Sequence, residues 1–121
     1  MRIYIAATSK DFEKAQALAA KLRAKGHKIM SSWHDLPGTT VSDALGWSEK
    51  LEKFNHPEIQ STDLFVALQP SHLVTGGMHV ETGYALGRGI SVAVVGPAQN
   101  MMLYAKLCTH YGTEEAFLAS V

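Results

Sequence analysis

The apolar residues of this chain alternate between two periods. "RIYIA" (Arg2 to Ala6) is short, β-branched and aromatic, and predicts a first strand. "TSKD" then places Asp11 three residues after Thr8 in a capping-box-like start, and Phe12, Ala15, Leu18, Ala19 and Leu22 follow at helical spacing. Gly26 sits where a left-handed residue would end that helix. "HKIM" (His27 to Met30) resumes as a short strand, and "SSWHDLPGTT" is a loop rich in turn formers. From Val41 to about Ser61, apolar residues mixed with charges predict a helix, broken near Pro57.

"DLFVAL" (Asp63 to Leu68) is an almost continuous apolar run, the pattern of a central strand buried on both faces. "QPSHLVTGG" is loop, and a helix is expected to start near Gly77 or Met78. "SVAVVG" (Ser91 to Gly96) reads as another buried strand. A weak helix around Met101 to Leu107 and a short one from Glu114 to Ala119 complete the pattern, with no repeats. Strands alternating with helices predict an α/β fold: one domain over residues 1–121, with a mostly parallel sheet of about five strands flanked by helices. Right-handed crossovers gather the loops after the strands on one edge, where open α/β sheets bind ligands. Residues 7–10, 31–38 and 69–77 meet there, together with the start of the helix that carries Glu81.

Composition narrows the function classes. The chain has 121 residues, with 46% hydrophobic and 18% charged, as expected of a globular domain. Eleven basic residues balance eleven acidic ones, so the basic patch that engages nucleic-acid phosphates is not expected. No apolar run approaches the roughly 20 residues of a membrane span. The strand pattern begins at once, so no signal peptide is expected and a cytoplasmic location is. Cys108 is the single cysteine and has no partner for an internal disulfide, and no residue spacing points to a metal.

The candidate chemistry lies on the ligand edge. Glu81 follows Gly76 and Gly77 in "GGMHVETGYALGRG". As an acid in a first helical turn it would favour the dipole by about 0.3–1 kcal/mol. Facing a crevice, the same carboxylate is a candidate nucleophile for a sugar C1 atom. "GYALGRG" lies within and after a helix, so it is not a dinucleotide fingerprint. Ala6, Ala7, Thr8 and Ser9 form the first strand-to-helix turn; its hydroxyls and amides suit one phosphate or a sugar hydroxyl, and equally suit helix capping. Trp33, His34 and Asp35 offer an aromatic plate beside a titratable pair, suited to a nucleobase, or a surface turn with Trp33 folded onto the core. His79 is expected to be structural, His72 has no evident partner, and Asp63 is expected to be a buried, hydrogen-bonded cap.

"TGGMHVETGYALGRGISVAVVGP" resembles the nucleoside 2-deoxyribosyltransferase family, including the related nucleoside 5′-monophosphate N-glycosidases. "IYIA", "SSW", "DLFVAL" and "GPAQNMM" fall in the same order, so the resemblance spans almost the whole chain. It implies a flavodoxin-like or Rossmann-like domain acting on the N-glycosidic bond of a deoxynucleoside or its monophosphate. The family's nucleophile falls on Glu81, with a covalent deoxyribosyl intermediate, and Tyr4 matches an aromatic residue that orients the carboxylate. No metal or organic cofactor is implied. The implied ligand is a small nucleoside or nucleotide, bound around Gly76, Gly77 and the first turn. A homodimer or higher homo-oligomer is implied too, with Met101 to Leu107 as the candidate contact. Three positions depart from the pattern. Asn55 stands where many members carry an acid, Thr75 where several transferases have an aspartate, and Met78 where a basic residue is expected. Thr75 leans towards hydrolysis of a monophosphate. Asn55 and Met78 favour the alternative, a non-catalytic nucleotide-binding or sensing module.

Overall fold

The computed structural model describes residues 1–35, 55–70 and 76–121. Its elements run β1 (Arg2–Ala6), α1 (Phe12–Ala24), β2 (Lys28–Ile29), α2 (His56–Gln60), β3 (Leu64–Leu68), α3 (Gly77–Gly87), β4 (Ser91–Val95), β5 (Cys108–Tyr111) and α4 (Glu114–Ser120). Short 3-10 turns lie at Ser9–Asp11, Trp33–Asp35 and Met101–Tyr104. Every strand pairing is parallel, in the order β2-β1-β3-β4-β5. The strand order therefore reverses between β1 and β3, and in open sheets a ligand crevice opens there beyond the strands' C-terminal ends.

Strand alternation divides the core in two. Ile3, Ile5, Val66, Leu68, Ala93 and Val95 pack with Ala15, Leu18, Ala19 and Leu22 of α1 and Phe117 of α4. Tyr4, Ala6, Phe65, Ala67, Val92 and Val94 face the other way, onto Ile59 of α2, Met78 and Ala85 of α3, and Leu103. This is why "DLFVAL" lacks polar alternation: both faces of β3 are covered. Each large side chain so buried contributes roughly 1.5–3 kcal/mol. The two long helices stop on the same device. Gly26 (φ 93°) and Gly89 (φ 75°) take left-handed conformations, and the next amides, of His27 and Ile90, close back onto the carbonyls of Leu22 and Ala85.

Several sequence expectations are corrected. Pro57 occupies the first turn of α2, where its missing N–H costs no bond. Residues 41–54 of the expected long helix lie outside the described residues. Thr8 and Asp11 do not form a capping box: the Thr8 hydroxyl donates to the Asp11 carboxylate (3.0 Å), and neither side chain caps a backbone N–H. The expected helix at Met101 to Leu107 is a 3-10 turn over Met101–Tyr104. "CTHY" after it is the fifth strand, an edge strand too short and too exposed to show a period. Asp63 is hydrogen-bonded but exposed. It accepts from the Arg2 backbone (2.8 Å) and guanidinium (2.9 Å), and this hold keeps its carboxyl down at about 2. That pair ties the starts of β1 and β3, at the end of the sheet away from the crevice.

Candidate active site

Glu81 and Tyr4 meet across the sheet–helix interface. The Tyr4 hydroxyl donates to Glu81 Oε2 at 2.6 Å, joining residues 77 apart in the chain. β1 supplies Tyr4 with its ring fully buried, stacked on Phe65 at 5.4 Å with 9° between planes. Burial, and next the charge of Glu81, push the phenol well above its ordinary pKa, so it remains a proton donor throughout the physiological range. A neutral phenol thus fixes the Glu81 carboxylate without neutralising it. Glu81 itself is half-buried.

The position of Glu81 differs from expectation in one respect. The first turn of α3 holds no acid; Gly76 is its N-cap and Glu81 lies one turn inside. The helix dipole acts within the first turn, so a capping role accounts poorly for this carboxylate. Gly76 and Gly77 are exposed, and among the described residues a Cβ at either would meet nothing within 4 Å. Met78, by contrast, is buried in the core beside Tyr4, and its carbonyl accepts from the Thr82 hydroxyl at 2.7 Å.

α2 closes this side of the site. Its Ile59 packs in the same cluster as Tyr4, while Gln60 donates to the Tyr84 hydroxyl (2.6 Å) and His56 stacks on the Tyr84 ring (4.7 Å). Glu58 accepts a hydrogen bond from Ser32 in the loop after β2. Asn55 precedes α2 with helical backbone (φ −62°, ψ −50°) and is 6% exposed. Sequence reasoning missed Glu58 and Ser32. The available signal was spacing: Glu58 lies three residues after Asn55, which puts both on one helical face.

Of the two readings of Trp33, His34 and Asp35, the contacts match the one with Trp33 folded onto the core. Trp33 donates its indole N–H to the Ile5 carbonyl at 2.7 Å and packs against both halves of the core. His34 is fully buried. Ser31 Oγ accepts from the Ile5 amide (3.1 Å) and lies 2.8 Å from His34 Nε2, while His34 Nδ1 lies 3.2 Å from Asp35. Ionised Asp35 can only accept, so the ring donates from Nδ1, and Nε2 of the neutral ring accepts the Ser31 proton. Burial lowers the His34 pKa against the opposing pull of Asp35, so the ring is neutral at pH 7. Burial alone would raise Asp35, but the Arg23 hydrogen bond (2.9 Å) and His34 outweigh it and leave Asp35 below its ordinary value. Both ring nitrogens of His34 are thus committed within the protein.

Of the first turn, Ala6 is buried at the end of β1, Ala7 and Thr8 are half-buried, and Ser9 is exposed. The edge carrying this turn is thus open on the Ser9 side, although the Thr8 hydroxyl is engaged with Asp11. Thr75 and His72 lie outside the described residues. His79 is half-buried on α3. Among the described residues no cluster of ligating side chains could hold a metal, and no helix is long and apolar enough to cross a membrane. A recess of about 250 Å³ opens at the same sheet edge but on the α1–α4 side, lined by Asp11, Lys14, Gln69 and Thr113, whereas Glu81 lies on the opposite face.

No protein-family model and no curated protein matches the chain. Solved structures do. A CMP N-glycosidase of Clostridium botulinum superposes with a TM-score of 0.66 at 24% identity, over 99% of this chain and 97% of its own. A 2-deoxyribosyltransferase of Bacillus psychrosaccharolyticus superposes at 0.76 with 18% identity, covering 98% and 90%. The chain shares their fold. A conserved protein of Enterococcus faecalis gives 0.68 at 16% identity, covering 98% and 95%. The first two are the kinds of enzyme that the stretch around Glu81 resembles, and the parallel flavodoxin-like sheet agrees with both.

Proposed function

We propose that this chain is a single-domain enzyme that cleaves, or transfers at, the N-glycosidic bond of a (deoxy)nucleoside or its 5′-monophosphate, with Glu81 as nucleophile. The observation that carries this reading is the 2.6 Å hydrogen bond from Tyr4 to Glu81. It supplies what a carboxylate nucleophile needs: charge retained, direction fixed, and a place at the ligand edge rather than in a cap. Attack on C1′ expels the base and forms a glycosyl ester on Glu81. Water or a second base resolves the ester with net retention of configuration. Deoxyribose suits this chemistry because it lacks the 2-hydroxyl that disfavours an oxocarbenium-like transition state. The similarity to a CMP N-glycosidase supports hydrolysis of a monophosphate, and the similarity to a deoxyribosyltransferase supports transfer.

The test is base release from a panel of ribo- and deoxyribonucleosides and their 5′-monophosphates, CMP included, with and without an acceptor base. Turnover should vanish in Glu81→Ala and Glu81→Gln; turnover unchanged in either excludes Glu81 as the nucleophile. A second reading, a nucleotide-binding or sensing module without chemistry, is favoured by the amide at Asn55 and by Met78, which is buried and carries no charge for a phosphate. Wild-type protein that binds a nucleotide yet releases no base decides for it.

A further inference from the structure

Expelling a nucleobase takes more than a nucleophile, because the departing nitrogen must receive a proton or a hydrogen bond as the bond breaks. Glu81 cannot both attack C1′ and supply that proton. Most other titratable groups near this face are engaged. His34 has both ring nitrogens bonded and Asp35 is held by Arg23, while His56 lies flat on Tyr84. Asp11 belongs to the other side of the sheet, at the start of α1.

Resting on the reading of Glu81 as nucleophile, we propose that Glu58 is the acid/base carboxylate of this site, delivered by α2 to the leaving base. Three placements support it. Ile59 anchors α2 in the cluster that contains Tyr4, and Glu58 precedes it on the same helix. Gln60 and His56 clamp α2 to Tyr84, one turn beyond Glu81 on α3. Ser32, from the loop after β2 at the ligand edge, donates to Glu58, so the carboxyl meets a residue of that edge. The charge of Glu58 also bears on the Tyr4 phenol, as that of Glu81 does, so both carboxylates lie within electrostatic reach of one hydroxyl. Among the described residues, Glu58 thus acts on the Tyr4 phenol of β1 through its charge and on the Ser32 hydroxyl through a hydrogen bond.

The two carboxylates have different partners, which suits a division of labour. Glu81 takes a hydrogen bond from a buried phenol and keeps its charge. Glu58 enters as the acid. In the first half-reaction Glu81 attacks C1′, the C1′–N bond breaks with its electron pair moving to the base, and the base nitrogen takes the Glu58 proton. The products are free base, a deoxyribosyl ester on Glu81 and a Glu58 carboxylate. In the second, Glu58 takes a proton from water (or from the N–H of an acceptor base) as that atom attacks C1′. Glu81 leaves as carboxylate and Glu58 is again protonated. The chain thereby has an acid one turn along the same helix face from the amide of Asn55.

The experiment compares two leaving groups on the full-length protein. Deoxynucleosides and their 5′-monophosphates need protonation of the base; 4-nitrophenyl 2-deoxyribofuranoside does not. Glu58→Gln should lower kcat/KM for base release by about 10²–10⁴-fold while leaving kcat/KM for nitrophenolate release, which reports only the first half-reaction, near wild type. It should also remove the basic limb of the kcat/KM pH profile. Glu58→Asp should recover part of the base release. If Glu58→Gln slows both substrates equally, or neither, Glu58 is not the acid. Should Glu58→Gln fail to fold, Ser32→Ala serves in its place: a moved basic limb supports the role and an unmoved one overturns it. Glu81→Gln separates the two readings, since it should abolish both releases. Base release surviving in Glu81→Gln removes the nucleophile assignment whatever Glu58 does, and a wild type that releases neither product overturns both.

Discussion

At the scale of single residues, Tyr4 and Glu81 share one hydrogen bond with unequal consequences. Tyr4→Phe deletes the donor and leaves the stacked ring on Phe65 in place, so the core is kept. Glu81 is half-buried and can regain water, so the stability change should be small. The lost bond is to a charged acceptor, a class worth about 1.5–3 kcal/mol. If that orientation is used in the transition state, kcat should fall by about 10–100-fold with little change in KM; steady-state kinetics on base release checks this. A change confined to KM would mean that Tyr4 binds substrate and does not orient the nucleophile. The Glu81 end of this pair was legible in the sequence as an isolated acid after two glycines, and Tyr4 was legible only through the family resemblance. Its depth inside α3 was not, because glycines do not mark which of several positions begins a helix. Glu58 was invisible for a different reason: its role depends on Ser32, brought to it across 26 positions of chain by folding alone.

At the scale of elements, the loop after β2 is a second core built from polar groups. Ser31, His34, Asp35 and Arg23 form one chain of hydrogen bonds that pins this loop to β1 and α1. His34 is held neutral, with its pKa lowered by burial, whereas the unfolded chain protonates near 6.5. The unfolded state therefore binds more protons as pH falls below about 6.5, and stability should fall with it. Denaturant unfolding should show wild type losing stability between pH 7 and pH 5, and His34→Gln should flatten that slope even though it is less stable at pH 7. A slope unchanged by the substitution would assign the pH dependence to other groups. The sequence offered Trp33, His34 and Asp35 as a possible base site because aromatic and titratable residues look alike whether a ligand or the core satisfies them. Elements with a strong period, β1, α1, β3 and β4, were read almost to the residue. β5 escaped because an edge strand of four residues, half of them exposed, carries no alternation.

At the scale of the whole molecule, Met101, Met102, Tyr104 and Leu107 are exposed (87%, 72%, 71% and 39%) around the buried Leu103. Apolar side chains crowded on one turn seek cover, and we expect a second copy of the chain to provide it. Size-exclusion chromatography with light scattering should report a dimer or larger assembly, and Met101→Glu with Met102→Glu should shift it towards monomer; an unaltered mass places the contact elsewhere. Its apolar run pointed to this segment from the sequence, with core packing as the alternative, while its exposure came only with the fold. The site itself is drawn from β1, the loop after β2, α2 and α3, so no short stretch contains it. Its decisive bond spans 77 positions. Contacts that distant form late, since the entropy of closing a long loop must be met before they give anything back. On refolding from denaturant, secondary structure should therefore return before activity, and activity should return in step with the pairing of β1 and β3. If Glu81 acts as proposed, recovered turnover is in that sense a clock for the joining of β1 to the rest of the sheet.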